Sequence, residues 1–341
     1  MIVAAFTVEA AVRLSGRAGP LVTDPAFRWY DGVSYWNYQA NGRFEVYGPT
    51  SLETGPYGER LHDGDRRVPA RGAGISGDEP EGPLVLAVGD SFTFGQAVAS
   101  DRTWPAQLER LLAPEFPGLR VLNAGVQGHS LRMIVSHANE LAREIQPDLV
   151  VVAFIADDLH PRREQKHVDR FGYMARGKGG AAPGSLPVFL RVLARQSHAL
   201  LLCKQWWEFP GPIASGREPK ASWAESGGTS TTPSWIVNLW ELRRSLGDTP
   251  LVLMNLDLRE TAASERIRRE LAVWMPEAPL LYLPPYLERL APSARRVPVD
   301  GHPSPAAHQI YAQTALPLVR AHLSGATAPS NAITPKGLAT R

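Results

Sequence analysis

Short apolar runs alternate with segments of helical period along most of the chain. The five apolar runs are Leu84–Val88, Arg120–Asn123, Leu149–Phe154, Leu251–Asn255 and Leu280–Leu283. Between and after them lie helix-like segments, namely Trp104–Leu112, Ser130–Ile145, Trp235–Leu246, Ala262–Trp274 and Pro305–Leu323. Apolar strands that alternate with amphipathic helices are typical of βαβ units, which form a parallel sheet with helices on both faces. The pattern predicts a three-layer α/β/α sandwich with a five-stranded parallel sheet.

Two stretches interrupt this regular domain, which we expect to span residues 81–325. Residues 24–80 are rich in Gly, Pro, Tyr and Trp, contain short β-like stretches such as Arg43–Tyr47, and indicate an irregular N-terminal extension. Residues 158–233 follow the third strand, and because insertions at a strand's carboxyl end overhang the ligand crevice, they predict a cap. The small, polar residues 326–341 predict a disordered tail.

The first 23 residues contain the apolar run Ile2–Val12, which includes Glu9 and has no basic residues before it. It is shorter than the roughly 20 residues that span a bilayer, so it does not predict a transmembrane helix. Two interpretations stay open: a helix packed on the domain, or the end of a signal-anchor whose upstream part the sequence lacks. The second implies membrane association through the N-terminus and favours the cell envelope over the cytoplasm.

Composition limits the possible partners. The chain has 341 residues, of which 44% are hydrophobic and 21% charged, as in a soluble globular protein. Its net charge of +2 comes without a run of like charges, so nucleic acid is not an expected partner. With Cys203 as its one cysteine, the chain can form neither an intrachain disulfide nor a cysteine-rich metal site. No cofactor is expected.

Chemically useful residues follow the strands. Open α/β sheets bind ligands outside the carboxyl ends of their strands. Ser91 follows the first strand, a loop that includes Gly128 follows the second, Asp157 follows the third, and Asp300 with His302 precedes the last helix. A serine becomes a strong nucleophile when a histidine takes its proton, and a carboxylate orients that histidine. The pattern therefore indicates nucleophilic acyl transfer.

Four blocks of the sequence resemble those of SGNH (GDSL-type) hydrolases, which are serine esterases and acylhydrolases with a flavodoxin-like α/β/α fold. The blocks, in chain order and within about residues 80–323, are Val88-Gly89-Asp90-Ser91-Phe92-Thr93-Phe94-Gly95, Asn123-Ala124-Gly125-Val126-Gln127-Gly128-His129-Ser130, Phe154-Ile155-Ala156-Asp157-Asp158 and Asp300-Gly301-His302-Pro303. The resemblance implies that Ser91 is the nucleophile, His302 the base and Asp300 its orienting carboxylate. It also implies an oxyanion hole formed by the backbone N–H groups of Ser91 and Gly128.

The third block departs from the family's Gly-x-Asn-Asp sequence, because Asp157 stands where the family has the oxyanion-hole asparagine. An ionised aspartate has no proton to donate and would repel an oxyanion. Loss of one such donor costs about 3–4 kcal/mol. Three interpretations stay open: Asp157 is kept protonated by burial, it recognises a cationic or hydroxyl group, or the protein has lost catalysis and only binds.

Each assignment has a simpler alternative. Ser91 could merely cap its helix, Gly128 could be only a turn residue, and His308, the nearest rival base, is expected to pack or cap. A metal site at Asp157, Asp158 and His160 is less favoured than a solvated cluster, so no metal is expected. Trp206, Trp207 and Trp223 are expected to pack or anchor the cap, with stacking on sugar rings as the alternative.

These patterns predict a serine esterase, acylhydrolase or acyltransferase that acts on a small acyl ester. The Asp-x-His spacing resembles a branch related to polysaccharide O-acetyl esterases and transferases, so an acylated carbohydrate is a candidate substrate. The alternative from another class is a catalytically impaired carbohydrate- or lipid-binding module of an envelope complex. A purely structural role would leave Ser91 and His302 far apart.

Overall fold

The computed structural model describes residues 2–15, 26–29, 35–45, 51–62, 82–159, 166–168, 174–176, 233–297 and 301–326, together with residues 197, 199, 200 and 203. The strands in this part are β1 Phe27–Trp29, β2 Trp36–Tyr38, β3 Arg43–Glu45, β4 Ser51–Glu53, β5 Leu84–Gly89, β6 Arg120–Gly125, β7 Leu149–Phe154, β8 Lys166–Val168, β9 Met174–Arg176, β10 Leu251–Asn255 and β11 Leu280–Tyr282. The helices are α1 Ile2–Ser15, α2 Ser91–Phe94, α3 Trp104–Leu112, α4 Leu131–Ile145, α5 Ser234–Ser245, α6 Ala262–Trp274, α7 Pro284–Leu287 and α8 Pro305–Leu323.

The five predicted strands form one parallel sheet in the order β11-β10-β7-β5-β6. Strands β5, β7 and β10 are buried along their whole length, as their continuous apolar sequences require. Alternate residues face opposite layers: Leu86 and Val88 pack with α4, α5 and α6, whereas Val85 and Ala87 pack with α3, α7 and α8. The predicted α/β/α sandwich is therefore confirmed.

Residues 26–62, which we call the N-terminal segment, contain two antiparallel hairpins in their described part, β1–β2 and β3–β4. Their apolar side chains form a third core cluster with residues of the sandwich. Trp36, Tyr38 and Leu52 pack there with Phe94 at the end of α2 and Val126 after β6. The segment thus shares a core with the elements that follow β5 and β6.

Several sequence expectations fall largely outside the described residues. Of the region 158–233, the structure describes little besides the hairpin β8–β9, whose first strand contacts β1. Trp206, Trp207, Trp223 and the region 327–341 lie outside. Helix α1 is described, and its Glu9 accepts hydrogen bonds from Ser197 and Ala199. Among the helices described, none has the length and apolar character needed to cross a membrane.

Strand β6 extends two residues beyond the predicted Asn123, to Gly125. Gly125 pairs with Gly89 in the sheet register, so both strands end at the same level. A Cβ added to Gly125 would lie 2.2 Å from the backbone nitrogen of Phe94. The missing side chain therefore lets α2 pack directly on the end of β6.

Replacing Gly125 by alanine should lower the free energy of unfolding by about 3 kcal/mol, because the new methyl group meets backbone that cannot turn aside. Gly247→Ala is the matched control, since nothing lies within 4 Å of its Cβ position and only its φ of 57° opposes a side chain. That control should cost about 1 kcal/mol. Urea unfolding of both variants measures the difference, and equal costs would contradict the close packing of α2 on β6.

Candidate active site

Ser91 lies at the carboxyl edge of the sheet, as the first residue of α2 and directly after β5. Asp90, not Ser91, occupies the N-cap of this helix, and its Oδ1 accepts a hydrogen bond from the Phe92 N–H at 2.8 Å. The capping alternative for Ser91 is therefore wrong, which leaves its hydroxyl available for another role. Gly89 is required for space: a Cβ there would lie 2.1 Å from Thr93 Oγ1 and 2.7 Å from the Ala153 carbonyl oxygen.

The imidazole of His302 reaches Ser91 from the loop that precedes α8. Its Nε2 lies 2.9 Å from Ser91 Oγ, although 211 positions separate the two residues in the sequence. The ring of Phe92 meets the imidazole edge-on, with centroids 5.5 Å apart. Proximity of Ser91 and His302 contradicts a purely structural purpose for this fold.

Backbone contacts fix the loop that carries His302. The Val297 N–H donates to the His302 carbonyl oxygen at 2.8 Å, and Arg296 donates to the Gly301 carbonyl oxygen at 2.7 Å. Gly301 adopts a φ of 82°, in the left-handed region that favours glycine. Asp300, the expected orienting carboxylate, lies outside the described residues.

The Ser91 hydroxyl has two acceptors within reach. His302 Nε2 is at 2.9 Å and Asp90 Oδ2 at 3.2 Å. A hydroxyl carries one proton, so it donates to one of them at a time. The Asp90 carboxylate also accepts a hydrogen bond from the Phe92 N–H, which holds it against the helix. The imidazole is the nearer of the two acceptors for the Ser91 proton.

Gly128 lies in the loop between β6 and α4, with a φ of 77° that favours glycine. Its neighbours on both sides are tied to the N-terminal segment: Trp36 Nε1 donates to the Gln127 carbonyl oxygen at 3.3 Å, and His129 Nε2 donates to the Trp36 carbonyl oxygen at 2.6 Å. Asn123 shapes the start of the loop, because its Oδ1 accepts from the Gly125 N–H at 3.2 Å. A turn role for Gly128 and an oxyanion role both fit this conformation.

Carboxylates cluster at the same edge. Asp157 lies on the 3₁₀ turn Ala156–Leu159 that follows β7, while the neighbouring Asp158 accepts from the Ile155 N–H at 3.0 Å. Asp257, after β10, accepts hydrogen bonds from Asn255 Nδ2 at 2.9 Å and from the Ala156 N–H at 3.1 Å. Burial, together with the negative charges of Asp90 and Asp157, raises the pKa of Asp257 to about 6.

His308 does not compete with His302 for Ser91. It is fully buried in α8, and its Nδ1 accepts a hydrogen bond from the Trp104 N–H at 3.1 Å, at the first residue of α3. Burial lowers the pKa of His308 to about 3, so it stays neutral. Within the described residues no group of three or more His, Cys, Asp or Glu side chains could hold a metal ion, and His160 lies outside them.

Sequence reasoning missed three residues of this site. Asp257 comes two residues after a predicted strand, so the strand-end rule that selected Ser91 could have found it. Trp36, which contacts the Gly128 loop, and Arg60, which donates to the carbonyl oxygens of Phe94 and Gly95, give no such signal, because these contacts join residues that are distant in the sequence.

Comparisons with known proteins agree with this architecture. The family model described as "GDSL-like Lipase/Acylhydrolase family" matches residues 87–310. A search of curated proteins found no match.

Similar solved structures include TesA, with 17% identity, a TM-score of 0.41, and coverage of 70% of this chain and 99% of that chain. A catalytic mutant of Axe2, an acetylxylan esterase from Geobacillus stearothermophilus, has 17% identity, a TM-score of 0.38, and coverage of 71% and 94%. A lipase/acylhydrolase from Enterococcus faecalis has 15% identity, a TM-score of 0.37, and coverage of 73% and 99%.

The pKa of Asp257 leads to a prediction about stability. The folded-state pKa of about 6 lies above the ordinary value of 3.8, so protonation favours the fold. The carboxyl's stabilising contribution is fully present below pH 3.8 and is lost as the pH rises through about 6. The unfolding free energy of the wild type should therefore rise by about 2 kcal/mol relative to that of Asp257→Asn as the pH falls from 7 to 4.

Urea unfolding between pH 4 and 7 measures this difference. Glu265→Gln is the control of opposite sign, because the hydrogen bond from Arg268 lowers the pKa of Glu265. Its contribution is present above the ordinary pKa of 4.5 and is lost as the pH falls. A difference for Asp257→Asn that does not change with pH would show that its carboxyl is not perturbed.

Proposed function

Because the chain belongs to the GDSL-like lipase/acylhydrolase family, we propose that it is a serine ester hydrolase with Ser91 as nucleophile and His302 as general base. The observation that carries this proposal is the 2.9 Å contact between His302 Nε2 and Ser91 Oγ. Both residues lie within the matched region, residues 87–310. The family match supports acyl-ester chemistry, and the contact supports the two roles.

The first step forms an acyl-enzyme. His302 Nε2 takes the hydroxyl proton as Ser91 Oγ attacks the ester carbonyl carbon, and the C=O electron pair moves onto the oxygen. When the tetrahedral intermediate collapses, the carbon–oxygen bond to the leaving alcohol breaks, and His302 returns the proton to that oxygen. This sequence needs Nε2 unprotonated at the start, so the resting tautomer carries its proton on Nδ1. Asp300 is the proposed acceptor of that Nδ1–H.

The second step releases the acyl group. His302 takes a proton from water as the water oxygen attacks the acyl carbon. The bond between that carbon and Ser91 Oγ then breaks, and His302 returns the proton to Oγ, which releases a carboxylic acid. A sugar hydroxyl in place of water would give a transferase. We propose a small acyl group as substrate, with the O-acetyl groups of a carbohydrate as the candidate class, from the Asp-x-His spacing of Asp300 and His302.

Stabilisation of the oxyanion is assigned to the backbone N–H groups of Ser91 and Gly128. Both belong to turns at the carboxyl ends of the paired strands β5 and β6. Asp157 occupies the position of the family's third donor, and as a carboxylate it has no proton to give. The site therefore works with fewer donors than the family pattern, or Asp157 donates in its protonated form.

A second candidate function rests on Asp157 itself. Without a third donor, and with the charges of Asp90 and Asp257 at the same edge, the protein could bind an acylated carbohydrate or lipid of the envelope without cleaving it. Such a protein would keep the contact between Ser91 and His302 but would turn over no ester.

Ser91→Ala and His302→Ala should each lower hydrolysis of a short-chain aryl ester by about a thousand-fold or more, because each removes a part of one catalytic unit. Both should also abolish labelling by a fluorophosphonate probe, which reacts with activated serines. Ser324→Ala is the matched control, since this serine is exposed and its hydroxyl donates to the Arg320 carbonyl oxygen at the end of α8. Retention of labelling in Ser91→Ala would identify a different nucleophile.

Asp157→Asn should keep or raise the turnover number, by up to about a hundred-fold, because the amide adds an oxyanion donor. Asp158→Asn removes the same charge one residue away, but its carboxylate accepts from Ile155 and should not raise turnover. Turnover on the aryl ester decides between the candidates. A large loss in Asp157→Asn would give the carboxylate a role of its own, while absence of turnover in both the variant and the wild type would favour a binding module.

A further inference from the structure

Trp36 of the N-terminal segment forms hydrogen bonds with both neighbours of Gly128 in the loop between β6 and α4. Its indole Nε1 donates to the carbonyl oxygen of Gln127 at 3.3 Å, and its own carbonyl oxygen accepts from His129 Nε2 at 2.6 Å. The indole and imidazole rings also meet edge-to-face, with centroids 5.4 Å apart. Both Trp36 and His129 are fully buried, so water does not compete for these bonds. Gly128 thus lies between Gln127 and His129, both of which form hydrogen bonds with Trp36.

Arg60, near the other end of the N-terminal segment, forms hydrogen bonds to the C-terminal end of α2 and to the turn beyond it. Its guanidinium donates to the carbonyl oxygens of Phe94 at 2.7 Å, Gly95 at 2.8 Å and Val98 at 2.6 Å. The guanidinium carbon also lies 4.7 Å from the centre of the Phe94 ring. These carbonyl groups belong to the end of α2 and the turn beyond it, where a helix leaves its last acceptors without internal partners.

The backbone of Arg60 also pairs with strand β6, which leads into the Gly128 loop. Its N–H donates to the Asn123 carbonyl oxygen at 2.8 Å, and the two residues form an isolated antiparallel bridge. Burial lowers the pKa of Arg60 to about 10, so it is still protonated at neutral pH. A charged group buried this deeply strongly destabilises the fold unless its hydrogen bonds are satisfied, so its geometry is tightly defined.

We propose that Trp36 and Arg60 are positioning residues of the active site: Trp36 fixes the turn that presents the Gly128 N–H, and Arg60 fixes the C-terminal end of α2, the four-residue helix that begins with Ser91. The inference rests on the proposed function and deepens it. The family match begins at residue 87, so neither residue belongs to the part that the family model describes. The site is completed by a segment that the family match does not cover.

The expected kinetic effect follows from what an oxyanion donor does. It binds the charge that forms in the transition state, so its displacement lowers kcat and leaves KM nearly unchanged. Complete loss of one donor costs about a hundred- to a thousand-fold in rate. Trp36→Phe keeps an aromatic ring but loses the bond to Gln127, so we expect kcat to fall about ten-fold with KM within about twofold of the wild type.

His137→Gln is the matched control for a structural effect. His137 belongs to the same buried cluster, with its ring 5.1 Å from that of Tyr35 and its Nε2 3.2 Å from Asn37 Nδ2. Its ring also meets that of His129 edge-on, with centroids 5.8 Å apart, but its hydrogen bond goes to Asn37 and not to the turn of residues 127–129, so its replacement should cost stability and leave kcat within about twofold. His129→Gln keeps an N–H donor for the Trp36 carbonyl oxygen and should retain more kcat than His129→Leu.

The test combines kinetics on a short-chain aryl ester with hydrogen–deuterium exchange of the full chain. We expect Trp36→Phe, but not His137→Gln, to lower kcat and to speed amide exchange in residues 124–131. Arg60→Lys should lower kcat and speed exchange in residues 91–98, because lysine cannot reach three carbonyl oxygens at once. If Arg60→Lys fails to fold, the kcat and amide exchange of Trp36→Phe decide whether the N-terminal segment positions the active site.

The outcomes separate the two proposals. Equal kcat values for Trp36→Phe and His137→Gln would overturn the positioning role while leaving Ser91 as nucleophile. A wild type without turnover would overturn the proposed hydrolase instead, and exchange in residues 124–131 would still test Trp36. Unchanged exchange there in Trp36→Phe would then show that the indole does not hold the Gly128 turn.

Discussion

The lack of space where β5 and β6 end is the constraint on which the site depends. Gly89 and Gly125 pair with each other at this level, and neither could carry a side chain without meeting Thr93 or the backbone of Phe94. Helix α2 therefore packs directly on the strand ends, and its first residue, Ser91, lies at the sheet edge. In a parallel sheet all carboxyl ends share one edge, so a loop that leads into a helix there can bring His302 to Ser91. The 2.9 Å contact is a consequence of this packing.

The carboxyl groups of Asp90, Asp157 and Asp257 lie together at this edge, which is unfavourable for a reaction that forms an oxyanion. Asp90 and Asp157 both raise the pKa of Asp257, so both lie close enough to act on its carboxyl group. Below about pH 6 Asp257 holds a proton and one of these charges disappears. The opposing elements are backbone N–H groups and the buried cation of Arg60 behind α2. Fixed dipoles of this kind stabilise developing negative charge without reorganising, so the reaction rate depends strongly on their exact position.

The sandwich was predictable from the sequence because burial on both faces imposes long apolar runs and amphipathic helices. Strands β7 and β10 and helices α3, α6 and α8 have the predicted bounds. In the N-terminal segment the sequence predicted a β-like stretch at Arg43–Tyr47, where β3 lies, but not the hairpins, whose strands are three residues long. Its main contacts are also distant, such as the 91 positions between Trp36 and Gln127. The N-cap residue of α2 was not predicted, because Asp and Ser are both good N-cap residues and only the backbone geometry selects Asp90.

The N-terminal segment and the sandwich depend on each other through buried polar groups. Without Arg60, the carbonyl groups of Phe94, Gly95 and Val98 would lose a shared donor, and a buried acceptor left unsatisfied costs about 1–3 kcal/mol. Without those carbonyl groups, the guanidinium would be a buried charge with few partners, which is costlier still. The segment also contacts the end of α2, the helix that begins with Ser91, and the loop that contains Gly128. The separation of Ser91 from Gly128 is thus set twice, by the register of β5 with β6 and by the segment that bridges them.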